Sequence, residues 1–218
     1  MCLILLAWQF SKPHPLVVAA NRDEFHVRPA AAAAFWDDKP GILAGRDLEA
    51  HGTWMGISRN GRFAAVTNYR GAREPRAAES RGALVSRFLE NGQSPKEYVG
   101  RLSGSANLYS GFNLLISDGA ELWSISNRGG EPRRLDPGIY GLGNTLLDAP
   151  EVEQNKRRFA ETVATATAVE PLFSVLEPAR IVNPVYGTRC STVFFGKRYA
   201  ERSFSADGGE QETVQYEF

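Results

Sequence analysis

The chain has 218 residues, 43% of them hydrophobic, and its 25 basic and 25 acidic side chains cancel, so it can bury one substantial core and carries no formal net charge. That balance, with no dense Lys/Arg run, gives nucleic acid or an anionic membrane no electrostatic footprint and leaves small molecules or proteins as the expected partners. Two cysteines, Cys2 and Cys190, are too few for a disulfide framework or a cysteine-rich zinc site and fit a reducing compartment, the cytoplasm being the simplest expectation.

The apolar opening from Cys2 to Trp8 is short, lacks a basic n-region and runs into Gln9, Ser11 and Lys12 without a small-residue cleavage site, so it reads as a strand rather than a signal sequence. No apolar run approaches the roughly 20 residues of a membrane-spanning helix. A second apolar run, Leu16 to Ala20, follows the turn-rich Ser11-Lys12-Pro13-His14-Pro15, and two such continuous runs predict strands covered on both faces. The second run delivers Asn21-Arg22-Asp23-Glu24 to its C-terminal end, where polar groups after a buried strand must be solvated, paired or catalytic. The alanine run Ala30 to Ala34 reads as a surface crossing. Trp54 to Ser58 and Arg62 to Thr67 flank Asn60-Gly61, a hairpin turn in which both central positions tolerate positive φ.

A helix is predicted from near Ser80, with Leu84, Val85, Phe88 and Leu89 on one face and Gly92 as its stop. A second begins at Ser94-Pro95-Lys96-Glu97, which has capping-box spacing, and the pair should cover one face of a sheet. Phe112 to Ser117 and Glu121 to Ser126 form another hairpin around Asp118-Gly119, and Gly141-Leu142-Gly143-Asn144 ends a short extended segment. Asp148-Ala149-Pro150 opens a third helix carrying Val152, Phe159 and Val163, Pro171 to Leu176 forms a short fourth, and a strand from Thr192 to Phe195 precedes a last hairpin around Asp207-Gly208-Gly209. Hairpins with segregated helix pairs, without repeat or linker, predict a single domain over 1–218. Its class is α+β, with two mostly antiparallel sheets in a four-layer αββα sandwich.

A small residue at position 2 permits removal of Met1, after which Cys2 offers both a thiol and an α-amine. These titrate ordinarily near 8.5 and 7.7–8.0, close enough for proton transfer between them. A neighbouring guanidinium favours the thiolate, and Arg22, one strand away, is the candidate. Taken alone, Cys2 reads more readily as a small buried hydrophobe than as a nucleophile, and Arg22-Asp23 equally as an ion pair at a strand end.

Met1-Cys2, Asn21-Arg22-Asp23-Glu24-Phe25, Gly52-Thr53-Trp54-Met55-Gly56, Thr67-Asn68-Tyr69, Tyr109-Ser110-Gly111-Phe112-Asn113-Leu114, Tyr140-Gly141-Leu142-Gly143-Asn144 and Tyr186-Gly187-Thr188-Arg189 together resemble, in order and spacing, the NRDE-motif family named in eukaryotes for transport and Golgi organisation. The same landmarks look like the cysteine N-terminal-nucleophile hydrolases that include penicillin V acylase and bile-salt hydrolase. The resemblance implies that fold, an amidohydrolase acting on a small amide or acyl substrate without a cofactor, and a set of roles. Cys2 is then the nucleophile, Arg22 stabilises its thiolate, Asp23 orients the α-amine, Asn68 and Asn144 donate to an oxyanion, and Arg189 completes the charged ring or pairs with Glu24. Arg22 and Asp23 are adjacent, so on a strand they point to opposite faces, and both reach Cys2 only if the strand ends or bulges at Arg22. Glu24 is the fallback for Asp23.

The resemblance also implies an alternative, a haem- or lipid-handling protein on an inactive scaffold. His14, His26, His51, Met55, Tyr69 and Cys2 are the side chains able to ligate iron, in no recognisable haem-attachment spacing. Trp8, Trp36, Trp54 and Trp123 are core residues or stacking platforms. Glu24, Trp54 and Tyr69 are the candidate ligand-binding residues, and no metal site is expected.

Overall fold

A computed structural model describes residues 2–11, 13–71 and 77–217. Met1 and Lys12, which the sequence places in the opening motif and the first turn, lie outside the described residues, as does Phe218. Strands β1 (Leu3–Ser11), β2 (His14–Phe25), β3 (Ala30–Trp36), β4 (Lys39–Asp47), β5 (Met55–Ser58) and β6 (Phe63–Asn68) come first. Helices α1 (Arg81–Glu90) and α2 (Pro95–Ser103) follow, then strands β7 (Phe112–Ser117), β8 (Leu122–Ser126), β9 (Arg133–Arg134) and β10 (Gly138–Leu142). Helices α3 (Glu153–Val163) and α4 (Glu170–Leu176) precede strands β11 (Tyr186–Phe195), β12 (Arg198–Phe204) and β13 (Glu210–Glu217). The class is α+β as expected, with two antiparallel sheets among the described residues, ordered β10-β1-β2-β11-β12-β13 and β3-β4-β5-β6-β7-β8-β9.

The chain divides into two compact units, each owning one sheet and one helix pair. The first unit takes the chain up to Arg28, Pro137–Gly143 and everything from Leu147 onward. Its two long apolar strands are central in the sheet, so continuous hydrophobic runs are required rather than alternating ones. Leu3, Leu5 and Ala7 of β1, Val17 and Ala19 of β2 and Val193 and Phe195 of β11 share one face. They pack against Phe159 and Val163 of α3 and Leu172, Phe173 and Leu176 of α4. Each large side chain buried there contributes about 1.5–3 kcal/mol. The opposite face is buried as well, at Ile4, Leu6, Trp8, Val18 and Ala20. The structure corrects one boundary: β2 does not end before the Asn21-Arg22-Asp23-Glu24 run but continues through it to Phe25, because β11 pairs with it along that whole length.

The second unit holds Pro29–Asp136 and Asn144–Leu146. The faces of α1 and α2 carrying Leu84, Val85, Phe88, Tyr98 and Leu102 pack on Ile42, Ala44, Ala64, Leu114 and Ile116 of its sheet. Ser94 and Glu97 form the expected capping box, each satisfying a backbone N–H of the other's residue. The Asn60-Gly61 hairpin turn is present, with Gly61 at φ 80°, a conformation that side-chain-bearing residues avoid. Two expectations needed revision here. Ala30–Ala34 is not a surface crossing but most of edge strand β3, and its partner β4 was not anticipated at all. Alanine has little intrinsic β preference, so pairing and the half-buried edge position, not propensity, decide that strand. No helix among the described residues is long and apolar enough to cross a membrane.

Candidate functional site

The register of β1 on β2 sets Leu3 opposite Asn21, which brings the half-buried Cys2 to the Arg22-Asp23 pair. The Asp23 backbone takes hold of the thiol at both ends: its N–H donates to Cys2 Sγ at 3.4 Å, and Sγ donates to its carbonyl at 3.4 Å. Burial pushes the Cys2 thiol up and the Asp23 carboxylate pushes it further. The hydrogen bond from Asp23 and the charge of Arg22 pull the other way. On balance the surroundings favour the neutral thiol over the thiolate.

The adjacency of Arg22 and Asp23 is resolved on the neighbouring strand. β2 neither ends nor breaks at Arg22; instead β11 carries a bulge between Thr188 and Cys190, pairing Thr188 with Asp23 and Cys190 with Arg22. Arg189 is the extra residue, so Thr188 and Cys190, two apart in sequence, lie on opposite faces of the sheet. Thr188 Oγ1 donates to Asp23 Oδ1 at 2.6 Å, and Tyr186 Oη donates to the Asp23 carbonyl at 3.2 Å. Arg189, thrown out of the ladder, donates through Nη1 to the carbonyls of Phe25, His26 and Arg28 at 3.1–3.2 Å. Its guanidinium thus ties down the turn after β2, and Glu24 pairs with Arg28 at 4.0 Å. The Glu24 carboxylate also accepts from the Phe25 N–H at 2.9 Å.

In the first unit the structure therefore gathers Cys2, Arg22, Asp23, Glu24 and Arg189 around one end of β1, β2 and β11. In the second unit it gathers Asn68, Tyr69 and Asn144. Asn144, 9% exposed, donates from Nδ2 to the Asn68 carbonyl at 2.8 Å, and its own carbonyl accepts from the Arg70 N–H. The Asn68 side chain at the end of β6 is exposed. Trp54, half-buried, lays its ring over Gly45, where a Cβ would stand 2.3 Å from the indole. The residues weighed as iron ligands are individually engaged or isolated. The His14 ring lies 4.2 Å from that of Phe195, His26 Nε2 is bonded to the Asn183 carbonyl, His51 is exposed and Met55 is core. Among the described residues no group of three or more His, Cys, Asp and Glu is placed to hold a metal ion.

Three residues around the cysteine escaped the sequence reading. Thr188 sits inside the Tyr186-Gly187-Thr188-Arg189 motif, where attention went to the charge. Tyr186 opens the same motif. Asn21, 2% exposed, donates to the Leu176 carbonyl at 3.1 Å and accepts from Ser191 Oγ at 2.6 Å, pinning α4 to β2; its place in a buried strand was the available signal. A cavity of about 560 Å³ opens between α1 and α2, lined by Arg87, Tyr98, Arg101 and Tyr109 among others. Arg87 is already committed there to Tyr109 Oη at 2.8 Å and to Glu79 at 2.9 Å, and the cavity contains neither cysteine.

Comparison with known proteins agrees with this geometry at the level of family and fold. The family model described as Transport and Golgi organisation 2 matches residues 1–184. The Transport and Golgi organization protein 2 homolog of Bos taurus is 34% identical over 275 residues, covering 100% of this chain and 99% of that protein. The Caenorhabditis elegans ortholog of N-acylethanolamine-hydrolyzing acid amidase superposes with a TM-score of 0.59 at 12% identity, covering 89% of this chain and 93% of its own. The mutant C2A conjugated bile acid hydrolase from Clostridium perfringens does so with a TM-score of 0.58 at 12% identity, covering 100% and 97%. These two likenesses, both to enzymes of the N-terminal-nucleophile hydrolase type, establish the fold. With the family model matched over most of its length and a relative aligned end to end, the chain belongs to the Transport and Golgi organisation 2 family.

Proposed function

We propose that this chain is a cysteine amide hydrolase that cleaves a small N-acyl compound through Cys2. The observation that carries the reading is the seat of the thiol, held at 3.4 Å by both backbone polar groups of Asp23 and acted on by the Arg22 guanidinium. Removal of Met1 exposes the α-amine of Cys2 as the base. The amine takes the thiol proton as sulfur bonds to the substrate carbonyl carbon; the tetrahedral intermediate then collapses, the C–N bond breaks and the ammonium returns the proton to the departing amine. Water, deprotonated by the same α-amine, next attacks the thioester and releases the acid with the free thiol. Arg22 favours the thiolate, and Asp23, fixed by Thr188, keeps the strand end in place. The structural neighbours, an N-acylethanolamine-hydrolysing acid amidase and a conjugated bile acid hydrolase, support an acyl amide as the substrate class.

The test begins with the intact mass of native protein, expected to lack Met1, and continues with a β-lactone that acylates nucleophilic thiols. A single adduct on Cys2 is expected, absent in Cys2→Ala and strongly reduced in Arg22→Ala. Quantitative retention of Met1, or an adduct that is unchanged in Arg22→Ala, rejects the mechanism.

A further inference from the structure

The face of the six-stranded sheet turned away from α3 and α4 carries a set of polar groups of which the mechanism above uses only Arg22. Strand register lays it out. Arg22 of β2 stands opposite Cys190 of β11, and Thr192 of β11 stands opposite Glu201 of β12. Val193 and Ala200 face the helices, so Thr192, Cys190, Tyr199 and Glu201 face the other way, with Arg22. All are buried: Arg22 is 7% exposed, Cys190 5%, Glu201 2%, Thr192 and Tyr199 1% each. Thr192 Oγ1 donates to Glu201 Oε2 at 3.0 Å, which fixes the carboxylate.

A carboxylate this deep costs several kcal/mol unless a cation balances it. Arg22 stands opposite Cys190 in the register, and its charge acts on the Cys190 thiol in the sense opposite to that of Glu201. Arg22 acts on the Cys2 thiol too. One guanidinium thus acts on both the cysteine of β11 and the cysteine ahead of β1.

We infer that Glu201 is the positioning residue for Arg22, its buried carboxylate anchoring the guanidinium in the place from which it serves the Cys2 sulfur. The inference rests on reading Cys2 as the working thiol. Its consequence is that a residue on β12, two strands away from Arg22 in the sheet order, governs reactivity at the start of β1.

The test is the pH profile of Cys2 alkylation by iodoacetamide, followed by peptide mass spectrometry, in wild type and Glu201→Gln. Loss of the anchor lets Arg22 drift, so the midpoint moves to higher pH and labelling near neutrality slows by about three- to tenfold. A bare loss of negative charge does the reverse and lowers the midpoint, since a nearby carboxylate disfavours the thiolate. A downward shift, or no shift, overturns the inference, as does an upward shift of the same size when Arg22→Gln is already present. Circular dichroism verifies the fold of each variant. Should Glu201→Gln fail to fold, Thr192→Val, which only unfastens the carboxylate, is expected to give a smaller shift of the same sign, and its absence counts against the inference equally. Iodoacetamide titrates Cys2 whether or not the β-lactone acylates it, so failure of the hydrolase reading and failure of this one are separate results.

Discussion

On the side of the six-stranded sheet that meets α3 and α4, Leu3, Leu5, Val17, Ala19 and Val193 form a surface of aliphatic carbon, relieved near one end by Asn21, Asp23 and Thr188. On the other side the same strands bury Arg22, Cys190, Thr192, Tyr199 and Glu201. The backbone is common to both; the energetics are not. Helix-side contacts are additive and tolerant, each supplying stability in proportion to area. Groups on the polar side are held at a desolvation cost that only their mutual arrangement offsets. The two faces thus differ in what holds them together, and the contrast can be broken by experiment.

The largest effect should come from the aliphatic side. Phe159→Ala, which empties a fully buried position on α3, is expected to cost about 3–5 kcal/mol in urea unfolding while leaving the alkylation profile of Cys2 in the folded protein unchanged. A changed profile would mean the faces are coupled. Next is Thr188→Val, which removes the hydroxyl from the buried Asp23 carboxylate and should cost about 1–3 kcal/mol by the same measurement, this time with altered β-lactone labelling of Cys2. In the other unit, Ser94→Ala at the capping box of α2 should cost about 1 kcal/mol and leave labelling untouched, a control for unspecific loosening.

A last measurement sharpens the contrast through pH. Burial, and then the Glu201 carboxylate, hold the Cys190 thiol and the Tyr199 phenol well above their ordinary values. Both stay neutral in the folded protein at a pH where the unfolded chain ionises. Stability should therefore be level up to about pH 8.5, decline as the unfolded thiol ionises, and decline further beyond about pH 10 with the phenol. Urea midpoints between pH 7.5 and 10.5 measure this, and Cys190→Ala should reduce the first part of the decline, the remainder coming from the Cys2 thiol, which burial also raises. A midpoint that rises across that range contradicts the assignment of these groups to a desolvated face.

Much of this was legible in the sequence, for definite reasons. The continuous apolar runs of β1 and β2, the Asn60-Gly61 turn and the Ser94 capping box are local signals, and each appeared as expected. β3 and β4 were missed because their identity rests on long-range pairing: Ala31 meets Arg46 across a ladder that no short window reveals. The Cys2, Arg22 and Asp23 cluster was found through motif order. How Arg22 and Asp23 divide between two faces was not, because the answer lies about 165 residues away, in a bulge visible only when β11 is aligned on β2. Glu201 gave no signal either, since one acid in a strand of mixed polarity looks solvated until its burial is known.

The bulge makes Arg189 a supernumerary residue. Thr188 and Cys190 already lie on opposite sides of the sheet, so the ladder would close without it in the same phase, leaving Thr188 on Asp23 and Cys190 on Arg22. Deleting Arg189 would release the turn whose carbonyls it collects and withdraw its charge from Arg22, Cys190 and Glu24. A cation carried in this way behaves as a detachable fitting: the loop beyond Phe25 can be remodelled, by selection or by design, while the strands that hold Cys2 keep their frame.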